Sequence, residues 1–184
     1  MGFAPAGMKP DVAERLAEVL QSRLDSLIDL GLTLKHVHWN VVGPGFIGVH
    51  QMLDDHVDGV RLASDAVAER IAALGGIPNG LAGGLVDRRT WDDYPVGRAT
   101  VQAHLGALDM AYDGVIGGHR DAITETEALD VVTNDLLIGQ AATLEQYQWL
   151  VRAHLENTSG ELATHGADTA LVAAAQAAAA DPLQ

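Results

Sequence analysis

The chain alternates long stretches in which apolar residues recur at helical spacing with short segments rich in glycine and proline. In the first stretch, leucines recur from Leu16 to Leu34 at the spacing that places them on one face of an α-helix. Asp11, with Glu14 three residues later, is typical of a helix start, and the Gly-Pro-Gly turn at 43–45 is typical of a helix end. The pattern therefore predicts a first helix that begins near Asp11 and ends at this turn.

The same reasoning predicts three further long helices, at about residues 46–74, 96–126 and 129–157. The glycine-rich connection at 75–95 is expected to hold one short helical piece around residues 90–93. Two helical hairpins joined by a long connection indicate an all-α four-helix bundle over residues 11–157. Residues 1–10 form an N-terminal tail. Residues 158–184 form an alanine-rich C-terminal tail, for which both a peripheral helix and a disordered segment remain open.

Composition narrows the range of functions. The 184 residues suit one domain, and a formal charge of −14 repels nucleic acid and anionic membranes while it attracts cations. The absence of cysteine excludes disulfides, thiolate zinc sites and iron–sulfur clusters. The first ten residues do not read as a secretory signal, and the apolar run at 169–180 is too short to span a bilayer. The sequence thus predicts a cytoplasmic protein without a membrane partner.

Titratable residues on the second predicted helix are spaced in two pairs, His50 with Asp54 and Asp65 with Glu69. The two members of each pair are four positions apart. The eleven steps from Asp54 to Asp65 amount to nearly whole turns, so both pairs lie on one stripe. They are also about 16 Å apart along the helix axis, too far to share one metal ion. Two copies of the helix, crossed antiparallel near Gly59, would bring each pair against the other pair of a twofold partner.

His38 continues the apolar stripe of the first helix, and with it the set comprises two imidazoles and three carboxylates, a combination that suits iron or manganese. Taken singly, each of these residues is more simply explained as a core histidine or a solvated charge. Their shared spacing favours a metal site. No such grouping surrounds five other histidines: His36, His104, His119, His154 and His165. Trp39 and Trp149 are by default core or interface aromatics.

The segment LKHVHWNVVGPGFIGVHQMLDDHVDGVRLASDAVAERIAALGG closely resembles the signature of the Dps family, the mini-ferritins named as DNA-binding proteins from starved cells. It carries the His-Trp-Asn motif, His and Asp on the next helix, and Asp-x-x-x-Glu-Arg at the family's spacing. The segment DLLIGQAATLEQYQWLVRAHLE is also similar to the family. The resemblance spans most of residues 11–157 and implies that the bundle is ferritin-like. It also implies a dodecamer built from twofold dimers.

The resemblance also implies a di-iron ferroxidase centre at the twofold interface. His38, His50 and Asp54 would come from one subunit, and Asp65 and Glu69 from its partner. Fe(II) would be oxidised there, preferably by hydrogen peroxide, and stored as ferric mineral as a protection against oxidative damage. Trp39 would be a redox-active aromatic beside the centre. Iron would enter through a pore near the start of the fourth helix, lined by Asp135 and, less securely, by Asp130, which could instead cap that helix.

The sequence favours this function over three others. A nucleoid-compacting DNA-binding protein of the same family would need basic tails, yet the N-terminal tail has only Lys9 and no basic residue follows Arg152. DNA binding through the tails is therefore not expected. A di-metal site inside each subunit would need Glu-x-x-His on two helices, and the chain contains no such motif. A structural shell with an inactive metal site would leave five intact ligand positions unexplained.

Overall fold

The computed structural model describes residues 4–180, which form six helices and two very short strands. The bounds, in chain order, are α1 Pro10–Asn40, β1 Val41–Val42, α2 Phe46–Ala73, α3 Ala82–Arg88, β2 Ala99–Thr100, α4 Val101–Thr126, α5 Val131–Ala153 and α6 Ala170–Ala179. The four long helices, α1, α2, α4 and α5, correspond to the four that the sequence predicts. Within residues 4–180, no helix combines the length and apolar character that crossing a membrane requires.

The described chain divides into two compact units. Unit 1 comprises residues 4–31, 59–91 and 115–143, and unit 2 comprises residues 32–58, 92–114 and 144–180. Each contains sections of all four long helices, and the buried faces of those sections are mainly leucine, valine, isoleucine and alanine. This apolar burial is the main force that stabilises each unit.

Unit 1 holds the long connection to α1 through buried polar contacts. The guanidinium of Arg88 donates two hydrogen bonds of 2.7 Å to the two carboxylate oxygens of Asp25, which is almost fully buried. Gln21 and Asn79 exchange two further hydrogen bonds of 2.9 and 3.0 Å. The helical piece of this connection is therefore α3, and the expected helix at residues 90–93 is wrong. The indole of Trp91 instead donates a hydrogen bond of 2.7 Å to Asp29.

The start of α5 is also fixed within unit 1. Asp130 accepts hydrogen bonds from the backbone N–H and the hydroxyl of Thr133, at 2.8 and 2.6 Å, which is the geometry of an N-terminal cap. Arg70 of α2 donates to the same oxygen at 2.7 Å. Burial alone would raise the pKa of Asp130, but the hydrogen bonds from Thr133 and the charge of Arg70 lower it overall.

In unit 2, a tight turn follows α1 and leads into α2. Gly43 and Gly45 have φ angles of 92° and 75°, a left-handed conformation that strongly favours glycine. Just before this turn, β1 pairs in parallel with β2, over two residues on each side. Because β2 occupies residues 99–100, α4 begins at Val101 and not near residue 96 as expected.

The alanine run of the C-terminal tail forms α6 and packs on α4 within unit 2. Thr169 caps α6 by accepting a hydrogen bond of 3.3 Å from Val172 N–H, and Ala173, Ala174 and Ala177 are buried. A Cβ atom added at Gly106 would lie 2.6 Å from the carbonyl oxygen of Ala173, so the two backbones approach closely here. Of the two alternatives for this run, the structure has the peripheral helix.

Candidate metal centre

His38 and His50 face each other across the glycine turn of unit 2. His38 lies near the end of α1 and His50 near the start of α2, and their rings stack with centroids 3.6 Å apart and planes 25° apart. The Nδ1 of His38 donates to the backbone carbonyl of His50 at 3.0 Å. In return, the Nδ1 of His50 donates to the carbonyl of His38 at 2.9 Å.

This reciprocal pair of hydrogen bonds sets the protonation pattern of both rings. A carbonyl oxygen can only accept, so each Nδ1 must carry a proton. A neutral imidazole with its proton on Nδ1 has a free lone pair on Nε2, the state in which histidine binds metals. Contacts within their own chain therefore hold both rings in place and leave the lone pair of each Nε2 free, while the Nδ1 of His38 also lies 3.4 Å from Asp54 Oδ1.

Asp54 adds a carboxylate one helical turn after His50. One ligand atom from each of His38, His50 and Asp54 lies within 4.8 Å of the other two. Two atoms that bind one ion at about 2.1 Å can be at most about 4.2 Å apart. Small side-chain rotations therefore suffice to bring the three onto a single ion. His38 is buried, whereas the side chain of Asp54 is 50% exposed, so the group is open on the carboxylate side.

A lysine is paired with this carboxylate. Lys35 Nζ lies 2.8 Å from Asp54 Oδ1, and this hydrogen bond is the main reason that the pKa of Asp54 is lowered. Electrostatic interactions with the neighbouring His38 and His50 also lower the pKa of Asp54. Asp54 is therefore ionised near neutral pH and already binds a cation. A divalent metal that uses this oxygen would replace Lys35.

The other predicted ligands lie outside this group. Asp65 and Glu69 are exposed residues of α2 and belong to unit 1. Side chains that bind a metal at the site of a partner chain must be exposed in the single chain, as these are. Their role as ligands stays a prediction. Trp39, next to His38, is 72% exposed and is therefore not a core residue, and Trp149 is 63% exposed.

The two predicted pore residues have different surroundings. Asp130 caps α5 and binds Arg70, which agrees with the structural alternative considered for it. Asp135 is exposed one turn further along α5. The assignment of either residue to an iron pore stays a prediction.

Sequence reasoning missed a polar cluster in unit 2, formed by His56, Tyr112 and Tyr147. The hydroxyl of Tyr112 lies 2.9 Å from His56 Nδ1, and the ring of Tyr147 stacks on His56 with centroids 4.2 Å apart. Burial lowers the pKa of His56 to about 4 and raises that of Tyr112, so both are neutral near pH 7. The position of His56 between Leu53 and Val57, on the apolar face of α2, could have predicted its burial.

Comparison with known proteins identifies the family for most of the chain. Residues 17–160 match the family described as ferritin-like domain. The chain is 54% identical over 167 residues to the protein called "DNA protection during starvation protein" of Mycolicibacterium smegmatis, and the match covers 91% of each. The fold is therefore the predicted ferritin-like four-helix bundle, and the class is that of ferritin-like proteins.

Solved structures agree with this class. "Mycobacterium smegmatis Dps" superposes with a TM-score of 0.90 at 53% identity, covering 92% of this chain and 97% of that one. "DpsA14 from Streptomyces coelicolor" superposes with a TM-score of 0.86 at 57% identity, covering 87% and 95%. The chain belongs to the Dps family, which confirms the resemblance found in the sequence.

Proposed function

We propose that this protein is a ferroxidase and iron store that oxidises Fe(II), preferably with hydrogen peroxide, and keeps the ferric product as mineral. The observation that supports the proposal best is the group of His38, His50 and Asp54, in which two imidazoles held by reciprocal hydrogen bonds lie beside an ionised carboxylate, with ligand atoms within 4.8 Å of one another. Two nitrogen ligands and a hard oxygen ligand suit iron, and a carboxylate favours Fe(III) over Fe(II). The formal charge of −14 attracts the substrate cation.

Three ligands from one chain leave the centre incomplete for two irons, and a second copy of the chain is proposed to supply the rest. Asp65 and Glu69 of that copy would face His50 and Asp54 when two α2 helices cross antiparallel. The surface of α2 supports this arrangement, because Leu62, between the two pairs, is 72% exposed in the single chain. The proposed assembly is a homo-oligomer of twofold dimers, expanding to a dodecamer.

The intersubunit site can be tested by complementation. One variant carries His50→Ala and Asp54→Ala, and the other carries Asp65→Ala and Glu69→Ala; each alone should oxidise Fe(II) no faster than buffer. When equal amounts are unfolded and reassembled together, half of the dimers are mixed, and each mixed dimer regains one of its two sites. About a quarter of the wild-type rate should therefore return.

A matched control replaces Asp55 and Asp58 by alanine, which removes two carboxylates from α2 outside the proposed ligand set. This variant should keep the wild-type rate. If native mass spectrometry verifies mixed dimers and no activity returns, the ligands do not come from two chains. Activity in either parent variant alone would show that its substituted residues are not ligands.

DNA compaction is the alternative function, and the name of the Mycolicibacterium relative refers to DNA protection. The composition of this chain argues against direct binding, because both tails lack a basic cluster. We expect no retardation of duplex DNA at about 150 mM salt. Retardation that disappears as salt rises would instead establish an electrostatic DNA-binding surface.

Asp135 is proposed as an iron-entry residue, because an exposed carboxylate near the start of α5 can attract a hydrated dication. Asp135→Asn should slow iron uptake at low Fe(II) while assembly and the five ligands remain intact. Uptake that is unchanged at non-saturating Fe(II) would exclude Asp135 as an entry residue.

A further inference from the structure

All three tyrosines of the chain lie in unit 2, and each contacts a histidine ring. Tyr112 and Tyr147 contact His56, and Tyr94 contacts His104. Both histidines are almost fully buried, and neither Nε2 has a hydrogen-bond partner among the described residues. Unit 2 also holds His38, His50 and Asp54, so the readily oxidised phenols share a unit with the proposed iron centre.

The contact between Tyr112 and His56 has the geometry that proton-coupled oxidation of a phenol requires. Tyr112 is 0% exposed, and the Nδ1 of His56, 2.9 Å away, is the partner of its hydroxyl. Loss of one electron makes a phenol a strong acid, so oxidation proceeds readily only where a base accepts the proton. The imidazole of His56 is such a base, already within hydrogen-bond distance.

The position of His56 links this pair to the proposed iron centre through the backbone of α2. His56 follows Asp54 by two residues on α2, so their Cα atoms are about 5.5 Å apart and their side chains point to nearly opposite faces. Asp54 is thus available to iron while His56 contacts the tyrosines. The remaining tyrosine of the cluster, Tyr147, stacks on His56 at an interplanar angle of 20°.

We propose that Tyr112, with His56 as its proton acceptor, supplies the second electron when hydrogen peroxide meets a centre that holds only one Fe(II). Peroxide then receives one electron from Fe(II) and one from Tyr112, takes up two protons from solvent, and becomes two water molecules. The O–H bond of Tyr112 breaks, its proton stays on His56, and a neutral tyrosyl radical remains. A later Fe(II) returns the electron, and the proton returns to the phenol.

This inference rests on the proposed ferroxidase function and extends it. Two Fe(II) ions supply the two electrons that peroxide needs, but a single ion supplies one and would release hydroxyl radical. An internal electron donor prevents that release. Tyr112 is 0% exposed, so a radical on this residue would be shielded from solvent within its own chain.

Tyr94 is the natural control, because its hydroxyl is shared between two acceptors. It lies 3.1 Å from His104 Nδ1 and also donates to the backbone carbonyl of His104 at 3.1 Å. A proton that is shared with a carbonyl oxygen passes less readily to the neighbouring imidazole, and His104 Nδ1 is also farther from its phenol than His56 Nδ1 is from Tyr112. We therefore expect Tyr94→Phe to leave the radical unchanged.

The experiment adds hydrogen peroxide to protein loaded with less than one Fe(II) per chain and freezes it for electron paramagnetic resonance. The wild type and Tyr94→Phe should show a tyrosyl radical, and Tyr112→Phe should lose it and release several-fold more hydroxyl radical to a spin trap. His56→Leu should lower the radical yield and abolish the coupling to an exchangeable deuteron. An equal tyrosyl signal in Tyr112→Phe would overturn the proposal.

Two further measurements distinguish a failure of the proposed ferroxidase function from a failure of the proposed role of Tyr112 and His56. The rate at saturating Fe(II) tests the ferroxidase function itself, and Tyr112→Phe should leave that rate unchanged. In metal-free protein, flash photolysis with a one-electron photo-oxidant should generate the same radical, so the pair is tested even if no iron is oxidised. Absence of a Tyr112 radical there would count against the pair.

A further variant tests the assignment to Tyr112 without changing Tyr112 itself, so that misfolding of Tyr112→Phe cannot decide the result. The double variant Tyr94→Phe/Tyr147→Phe leaves Tyr112 as the only tyrosine, in its native contact with His56. Ring-deuterated tyrosine should then narrow the radical spectrum of this variant. A spectrum that does not change on deuteration would assign the radical to another residue and overturn the proposal.

Discussion

Asp25 of unit 1 and Asp54 of unit 2 are both paired with a basic residue, but they differ in burial and in the number of their partners. These differences suit Asp25 to a structural role and Asp54 to metal binding. Asp25 is 4% exposed and binds Arg88 through both oxygens, with a third hydrogen bond from Gln21. Asp54 is 50% exposed and has one short contact, to Lys35. A metal could replace Lys35 as the partner of Asp54 at small cost, because that ion pair is partly exposed. A metal that bound Asp25 would have to displace three hydrogen bonds from a buried carboxylate and separate it from Arg88.

The comparison is tested most strongly by removing a ligand from unit 2. His38→Ala or Asp54→Asn should reduce Fe(II) oxidation to the rate in buffer, because the remaining ligands cannot hold iron at the centre. The melting temperature should change little for Asp54→Asn, since its ion pair is exposed. Stopped-flow oxidation and thermal melting measure the two effects. A variant that keeps full activity would remove its residue from the proposed site.

Acid stability should also differ between the units. The pKa of His56 falls from 6.5 to about 4 in the folded state, so the unfolded chain binds its proton more readily. Protonation of His56 in the unfolded chain therefore lowers the free energy of unfolding as the pH falls from 6.5 to 4, by about 3 kcal/mol in total. Above pH 6.5 this histidine is neutral in both states and its titration does not affect stability. His56→Gln should flatten the fall in melting temperature over this range.

His119 of unit 1 is the control for this pH effect. Burial lowers its pKa too, but hydrogen bonds with Val115 and Gln140 oppose the shift. His119→Gln should therefore change the pH dependence less than His56→Gln does. Equal slopes in the two variants would mean that His56 does not dominate the acid sensitivity.

Asp25→Asn should have the opposite effects to Asp54→Asn. It leaves Arg88 without a counter-charge and removes charge-assisted hydrogen bonds, so we expect a loss of about 2 kcal/mol in the free energy of unfolding. Fe(II) oxidation at temperatures well below melting should stay at the wild-type rate. Reduced oxidation in a fully folded Asp25→Asn protein would show that unit 1 affects the chemistry as well.

The smallest effect is expected from Lys35→Met. Removal of the competing ammonium should strengthen metal binding by no more than about fivefold, because an exposed ion pair is weak. Titration with Mn(II), which is not oxidised under these conditions, measures this affinity directly. Weaker binding in Lys35→Met would show that the lysine orients Asp54 instead of competing with the metal.

The sequence predicted the four long helices well, because their apolar spacing and glycine-rich ends are local features. It did not place α3, since Ala82–Arg88 is weakly patterned and is held by contacts of Arg88 and Asn79 with α1. The spacing along α2 grouped His50 with Asp54. The family motif added His38 to that group. The Lys35 pair and the reciprocal carbonyl bonds depend on tertiary geometry, which periodicity does not report.

The turn between α1 and α2 has a consequence for protein design. Gly43 and Gly45 fix the chain reversal, and across it each histidine is oriented by the carbonyl of the other. The stretch from His38 to His50 is therefore a self-contained unit that needs no neighbouring subunit to orient its rings. Grafted as one block onto the ends of another helical hairpin, it should transfer a pair of ready-made imidazole ligands, and inserting even one residue within it should abolish the transfer.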